Sequence, residues 1–479
     1  MKHQPIMTGV FHFMETNSQR SLFEDIKASI AGTDLDFTSG SIGRAIFILS
    51  IPMVIEMIME SVFAVVDIFF VSKLGAQAVA TVGITESVVT IIYAIAVGLA
   101  MGTTAIISRR YGEKKYDSAS VSAVQAILVG VIASLPLAII GIWFSKDLLQ
   151  LMGAESVIVQ KFSGYATIMI SFNLVIILLF VLNAVFRGAG DAAISMRVLW
   201  LANGLNILLD PILIFGWWIF PELGVKGAAI ATVIGRSVGV LLQLYYLFKG
   251  SKRIRIGLEH LRFRLKIMIR LIRVSLGGIG QFIIATSSWV FLMKIMAEFG
   301  SISVAGYTIA VRILIFSILP SWGMSNATAT LVGQNLGAEK PERAVTSTWI
   351  ATTINVLFLG SIGILIFFFS EVLMQIFTKD PEIISIGVTT LKVMSFGYVS
   401  YGFGMVIVQA LNGAGDTMTP TIINFICFWL IEIPLAYYLA LEFGFNETGV
   451  VYSIIISETF LAILGFIVFK RGKWKEINI

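Results

Sequence analysis

Charge is what this 479-residue chain has least of. Asp, Glu, Lys and Arg make up 13% of it, about half the ~25% usual in soluble domains. Most side chains therefore do not face water. Cysteine is nearly absent: Cys427, in an apolar stretch, is alone, which excludes an internal disulfide. No ligand spacing for a metal occurs. The three histidines, His3, His12 and His260, fall in a tail or a loop, which argues against a histidine proton relay. A Walker motif and a Gly-rich phosphate loop after a strand are missing, so ATP-driven transport is not expected. Strict alternation of apolar and polar residues is also missing, and with it the signature of a transmembrane β-barrel. The first 40 residues hold Glu15, Glu24, Asp25, Asp34 and Asp36 without a sustained apolar core, unlike a cleavable signal.

What is present is apolar length. Hydrophobic residues make up 57% of the chain, and runs such as those at 119–144 and 355–369 recur throughout. Crossing the hydrocarbon core takes roughly 20 apolar residues as helix. The pattern predicts an all-α integral membrane protein with twelve spans, near 44–71, 78–107, 120–143, 158–184, 195–219, 225–248, 270–297, 303–331, 343–370, 384–411, 420–441 and 448–469. Most of the 34 Lys and Arg fall on one side of these spans. The densest group is Lys249, Lys252, Arg253, Arg255, Arg262, Arg264, Lys266, Arg270 and Arg273, whereas the opposite loops hold Lys73, Lys146, Lys226 and Lys379. That bias places both termini in the cytoplasm. The net charge of +5 thus sets topology, and no nucleic-acid partner is expected.

The chain repeats itself. A shift of 225 residues lays Gly75 on Gly300, Gly98 on Gly323, Gly112 on Gly337, Gly188-Ala189-Gly190-Asp191 on Gly413-Ala414-Gly415-Asp416, and Gly224-Val225 on Gly449-Val450. A constant offset across separate loops signals duplication. With six spans each, the halves must be parallel, related by an axis along the membrane normal, with a cleft between them. The expected domains are a cytoplasmic extension (1–43), a first bundle (44–248), a basic linker (249–269), a second bundle (270–469) and a cytoplasmic tail (470–479). The Gly-Ala-Gly-Asp motif is best read as a helix end followed by an Asp cap.

Ionisable residues within spans are costly and mark function by default. Glu56, Glu60 and Asp67 fall within a stripe roughly 40° wide on the first helix. Asn206 and Asp210 share a face of the fifth. Asn183 and Thr232 could face the same point, and Glu86 adds a further acid. Two carboxylates in one low-dielectric pocket cannot both stay ionised cheaply, so protons or Na⁺ would compete for Asp67 and Asp210. The alternative is structural: Asp67 caps or pairs near the outer interface, Asp210 hydrogen-bonds before Pro211, and the glutamates pair with Arg236 or Arg312 or line a wet cavity. At the shifted positions the second half carries Leu292, Ile431, Leu435 and Ser457, with Glu432 and Glu458 instead near mid-helix. In-span acids outnumber the bases Arg236, Lys294 and Arg312, which favours cationic, amphiphilic substrates and makes Glu56, Glu60 and Glu86 candidates for the substrate cavity. Pro52 should kink the first helix as a passive bend or a hinge.

Several motifs together resemble the MATE (multidrug and toxic compound extrusion) family of the MOP flippase superfamily. They are Val65-Val66-Asp67-Ile68-Phe69-Phe70-Val71-Ser72-Lys73-Leu74-Gly75, Arg187-Gly188-Ala189-Gly190-Asp191, Asn206 with Asp210-Pro211, Gly224-Val225-Lys226-Gly227-Ala228-Ala229, Val332-Gly333-Gln334-Asn335-Leu336-Gly337 and Leu411-Asn412-Gly413-Ala414-Gly415-Asp416. The resemblance implies a V-shaped twelve-helix fold in a bacterial inner membrane and export of organic compounds coupled to H⁺ or Na⁺ entry. In the DinF-like branch it implies a cation site at Asp67, Asn183, Asn206, Asp210 and Thr232, with bending at the position of Pro52. The NorM-like branch uses an acid in the seventh helix, and residues 281–293 hold none. No cofactor beyond the coupling ion is expected. The partners expected are organic cations or lipophilic drugs and membrane lipid, with the chain a monomer. The alternative function is flipping of a lipid-linked oligosaccharide, which would need basic residues in the cavity. A membrane-embedded enzyme or receptor lacks any supporting constellation.

Overall fold

Length and apolarity decide the architecture. In a computed structural model, residues 22–251 and 253–479 are described. His3, His12, Glu15 and Lys252 lie outside the described residues, as does the first half of the expected N-terminal extension. Among the described residues there is no β-strand. The helices run α1 Leu22–Ala31, α2 Ile42–Ser72, α3 Ala76–Gly112, α4 Tyr116–Leu151, α5 Ser156–Ser171, α6 Asn173–Ala189, α7 Ala192–Phe215 and α8 Val225–Lys249. They continue as α9 Leu265–Ala297, α10 Ser301–Gly337, α11 Pro341–Gln375, α12 Pro381–Ala414, α13 Met418–Asn424, α14 Ile433–Tyr437 and α15 Asn446–Arg471. Eleven spans among the described residues are long and apolar enough to cross a membrane. One of them joins α5 to α6, and another, Met418–Glu442, joins α13 to α14 through π-helical turns at Phe425–Glu432 and Tyr438–Glu442. The 31-residue α2 stands beside these eleven as a further long helix.

The duplication is visible in backbone geometry. Gly75 and Gly300, each preceding a long helix, have φ of 97° and 91°. Lys114 and Glu339, in the next connection of each half, both take φ 57°. Gly190 and Gly415 close α6 and α12 at φ 86° and 91°. Their N–H groups bond the carbonyls of Arg187 at 2.8 Å and Asn412 at 3.0 Å. The following Asp191 and Asp416 N–H groups reach back to Phe186 and Leu411. This is the Schellman closure, in which a left-handed residue satisfies the last carbonyls of a helix. The Asp of the motif does differ between halves. Asp416 accepts from Thr419 N at 3.2 Å and caps the next helix, whereas the Asp191 side chain makes no cap bond to α7.

Helix packing divides the described chain into two units. One takes in Asp36–Val54 and Gly280–Ile479 with the stretch ending at Ala28; the other takes in Ser29–Leu35 and Ile55–Ile279. The sequence-based boundaries lie at loops, but both divisions fall inside helices: α2 passes between units two residues after Pro52, and α9 at Ile279. Glycine explains why. In the first-named unit a Cβ on Gly323 would stand 2.7 Å from the Met53 carbonyl oxygen. In the other a Cβ on Gly98 would stand 2.6 Å from Ile279 N, and one on Gly278 would stand 2.9 Å from Gly98 Cα. Gly323 and Met53 are the repeat equivalents of Gly98 and Gly278, so one close helix contact is built twice.

The described residues of the basic linker are tied down by hydrogen bonds. Arg253 donates to the carbonyls of Thr33, Leu35 and Ala189, and a 3₁₀ turn at Leu258–His260 is closed by Gly257 N donating to His260 Nδ1 at 2.9 Å. In the other unit Lys340 and Arg343 hold the carbonyls of Thr38, Ser39 and Gly40 at 2.8–2.9 Å. At the α3–α4 connection burial tends to raise the carboxyl of Glu113. Hydrogen bonds from Arg110 and Lys115 outweigh that and hold it below the ordinary range.

Candidate functional site

The polar side chains of the Ile55–Ile279 unit come from α2, α3, α5, α6, α7 and α8, and close-packed glycines bring α7 and α8 together. On α8, a Cβ at Gly227 would stand 2.4 Å from the Leu213 carbonyl oxygen, and one at Gly235 would stand 2.6 Å from that of Ala202 and 3.2 Å from Asn206 Cβ. With α7 this near, Asn206 Nδ2 donates to Thr232 Oγ1 at 3.0 Å. Gly235→Ala is expected to push the helices apart by tenths of an ångström. It should then lower transport several-fold at unchanged membrane expression, read as export by cells; parental transport would show that this contact does not position the site.

One turn further along α7 lies Asp210. It is 0% exposed, and neither carboxylate oxygen has a hydrogen-bond partner among the described residues. The Asp67 Oδ1 and the Asn206 Oδ1 are likewise buried without a partner. Asp67 and Asp210 lie within electrostatic range of each other, and Asp67 also senses Glu86 and Arg236. Tyr165 of α5, which is buried, senses Asp67, Glu86 and Asp210 together. Oxygen atoms buried without donors are expensive, and an all-oxygen set suits a proton or a hard cation. Among the described residues no group of three or more His, Cys, Asp or Glu could hold a metal ion.

The remaining acids of α2 are engaged differently. Glu56 is 2% exposed and takes Asn183 Nδ2 and Arg187 Nη1, both at 3.4 Å. Asn183 Oδ1 in turn accepts from Gln243 Nε2, and Ser195 donates to its carbonyl. Asn183 is thus tied to the Glu56 cluster, with no hydrogen bond to Asn206, Asp210 or Thr232. Glu60 accepts from Asn203 Nδ2 at 2.9 Å and lies 3.8 Å from Arg236 Nη2. Arg236, 4% exposed, also donates to Tyr93 Oη at 2.9 Å and sits over the rings of Phe63 and Tyr93. Glu56 and Glu60 therefore carry counter-ions, while Glu86 is exposed on α3.

Several members of this network escape a sequence reading, Gln243 and Ser195 among them. Asn203 completes an i, i+3, i+7 face with Asn206 and Asp210 and could have been found by that spacing. Tyr93 and Tyr165 carry no such signal, because a tyrosine in an apolar helix reads as ordinary packing.

The unit that contains Gly280–Ile479 has no carboxylate pair at the shifted positions. Leu292 is fully buried in an apolar cluster with Tyr307 and Ala436, and Ser457 donates to the Cys427 carbonyl at 2.8 Å. Its own acids are Glu432, 4% exposed and accepting from Ser288 Oγ at 2.7 Å, and Glu458, 8% exposed. Gln281, at the start of the acid-free stretch of α9, is taken up by Asn412 Oδ1 and the Thr417 carbonyl, both at 2.9 Å.

A duplicated all-helical bundle with carboxylates buried in its spans defines a multi-pass membrane transporter. The MatE family model matches residues 52–212 and 279–438, one match in each half, and the chain belongs to this MATE family. A probable multidrug resistance protein NorM of Thermotoga maritima is 31% identical over 439 residues, covering 89% of this chain and 92% of that protein. The multidrug export protein MepA of Staphylococcus aureus is 25% identical over 433 residues, covering 90% and 94%. Among solved structures, an outward-facing multidrug resistance MATE transporter of the MOP superfamily is 28% identical. Its TM-score is 0.86, over 92% of this chain and 98% of that one.

Proposed function

We propose that this protein is a cation-coupled multidrug antiporter of a bacterial inner membrane, exporting cationic or lipophilic organic compounds in exchange for H⁺ or Na⁺. Both termini lie in the cytoplasm on this reading. The observation that carries it is the Asp210 carboxylate, wholly buried with both oxygens unpartnered and within range of Asp67. A fixed charge in that position is costly unless an ion neutralises it. An ion entering from outside neutralises the pair, and its release inside restores the charge for the next cycle. The relatives named for multidrug resistance support the substrate class. The surplus of acids over bases favours cations within it.

The flippase alternative needs basic residues available to a pyrophosphate. Arg187 and Arg236 are instead held against Glu56 and Glu60. The test is dye efflux from proteoliposomes with imposed H⁺ and Na⁺ gradients. Efflux that follows one gradient and favours cationic dyes is expected. Efflux indifferent to both gradients would remove the coupling, and equal export of anionic and cationic dyes would remove the preference.

A further inference from the structure

The entry to α9 combines features that topology alone does not require. Residues 261–279 hold Arg262, Arg264, Lys266, Arg270 and Arg273 and no acid. The first part, Leu261–Arg264, is irregular backbone, and a side chain from another helix pins it. Gln125 of α4, 0% exposed, donates Nε2 to the Arg262 carbonyl at 2.7 Å and accepts from Arg264 N at 2.9 Å through Oε1. Leu261, Arg262, Phe263 and Arg264 are all exposed. Once α9 begins, Leu265, Ile269, Ile272 and Leu276 form an exposed stripe within roughly 60°. Lys266, Arg270 and Arg273 form a second exposed stripe about 100° round the helix. The opposite side, with Met268, Leu271 and Val274, is buried. A basic stripe beside an apolar stripe, both open and both at a span end, matches the two parts of a charged lipid.

We propose that residues 261–276 bind an anionic phospholipid of the adjacent leaflet. Its phosphate is held by Arg262, Arg264, Lys266, Arg270 and Arg273, and its acyl chains lie along Leu265, Ile269, Ile272 and Leu276. None of the five basic side chains makes an ion pair or side-chain hydrogen bond among the described residues, so all can take phosphate oxygens. Fixing the segment through Gln125 removes much of the ordering cost of binding. Positive-inside orientation needs only the number of Lys and Arg near span ends. It does not need an apolar stripe in register with them or a buried glutamine clasping their backbone. The site is independent of the proposed transport function.

The experiment is native mass spectrometry of the full-length protein with phosphatidylglycerol and, separately, phosphatidylethanolamine. Preferential retention of phosphatidylglycerol is expected. The triple variant R262Q/R264Q/K266Q should weaken it on the order of a hundredfold, while R262K/R264K keeps it. If the triple variant fails to fold, Gln125→Ala releases the segment with every charge intact and should still weaken retention about tenfold. Equal retention of the two lipids by the parent, or undiminished phosphatidylglycerol binding in the folded variants, would leave the basic cluster as a topology signal alone and overturn the proposal.

Discussion

Asp210→Asn should reduce ion-driven export to the level of cells without the transporter, with protein present at parental abundance. Asn has nearly the shape of Asp, so the fully buried position and its packing on α8 survive. What is lost is the charge that an entering ion neutralises. Since the Asp210 oxygens have no donors within the fold, the neutral amide removes a desolvation cost and should keep or raise the melting temperature. Asp67→Asn should also lose export. Dye efflux at matched expression and melting of the purified proteins separate these outcomes. Parental efflux from both variants would mean that the coupling ion binds elsewhere.

The largest effect on stability is expected at a glycine far from those acids. A Cβ on Gly413 would stand 2.2 Å from the Ala329 carbonyl oxygen and 2.5 Å from its Cα, both backbone atoms that cannot turn aside. Its repeat equivalent, Gly188, would meet Ile107 Cβ at 3.0 Å and the Thr104 carbonyl oxygen at 3.2 Å, contacts that a shift of a few tenths of an ångström relieves. Gly413→Ala should therefore cost at least the upper end of the ~1–3 kcal/mol typical of overpacking, and Gly188→Ala the lower end. Thermal unfolding in detergent, run on both variants together, reads the difference. Equal losses would mean that α10 and α12 can separate as easily as α3 and α6.

These two expectations show what a sequence can and cannot disclose here. The spans, the repeat and the helix-closing glycines at 190 and 415 were legible because each leaves a periodic or compositional mark. The stripe of Glu56, Glu60 and Asp67 was legible too, but not the fate of each acid. Arg187 lies beside a loop in sequence, and nothing there says that it pairs with Glu56. Asn183 shows the same limit. Its residue type fits the cation site implied by the family, yet its hydrogen bonds go to Glu56 and Gln243. The division of packing inside α2 and α9 was hidden for a different reason. A helix that changes neighbours midway keeps an unbroken local pattern, and only glycines on other helices record where it is gripped.

The π turns in the Met418–Glu442 span limit how far the duplication can be read residue by residue. A π turn takes in about one more residue than an α turn, so each such turn rotates everything beyond it relative to an uninterrupted α-helix. The equivalent span, α7, is α-helical throughout Ala192–Phe215. Beyond Phe425, alignment by 225 positions therefore keeps sequence register but loses direction. Leu435 stands where Asp210 stands in the alignment, yet it is half-buried where Asp210 is fully buried. An acid placed at 435 would not recreate the buried carboxylate of the first half, and a site mirrored from one bundle to the other has to be sought by facing angle.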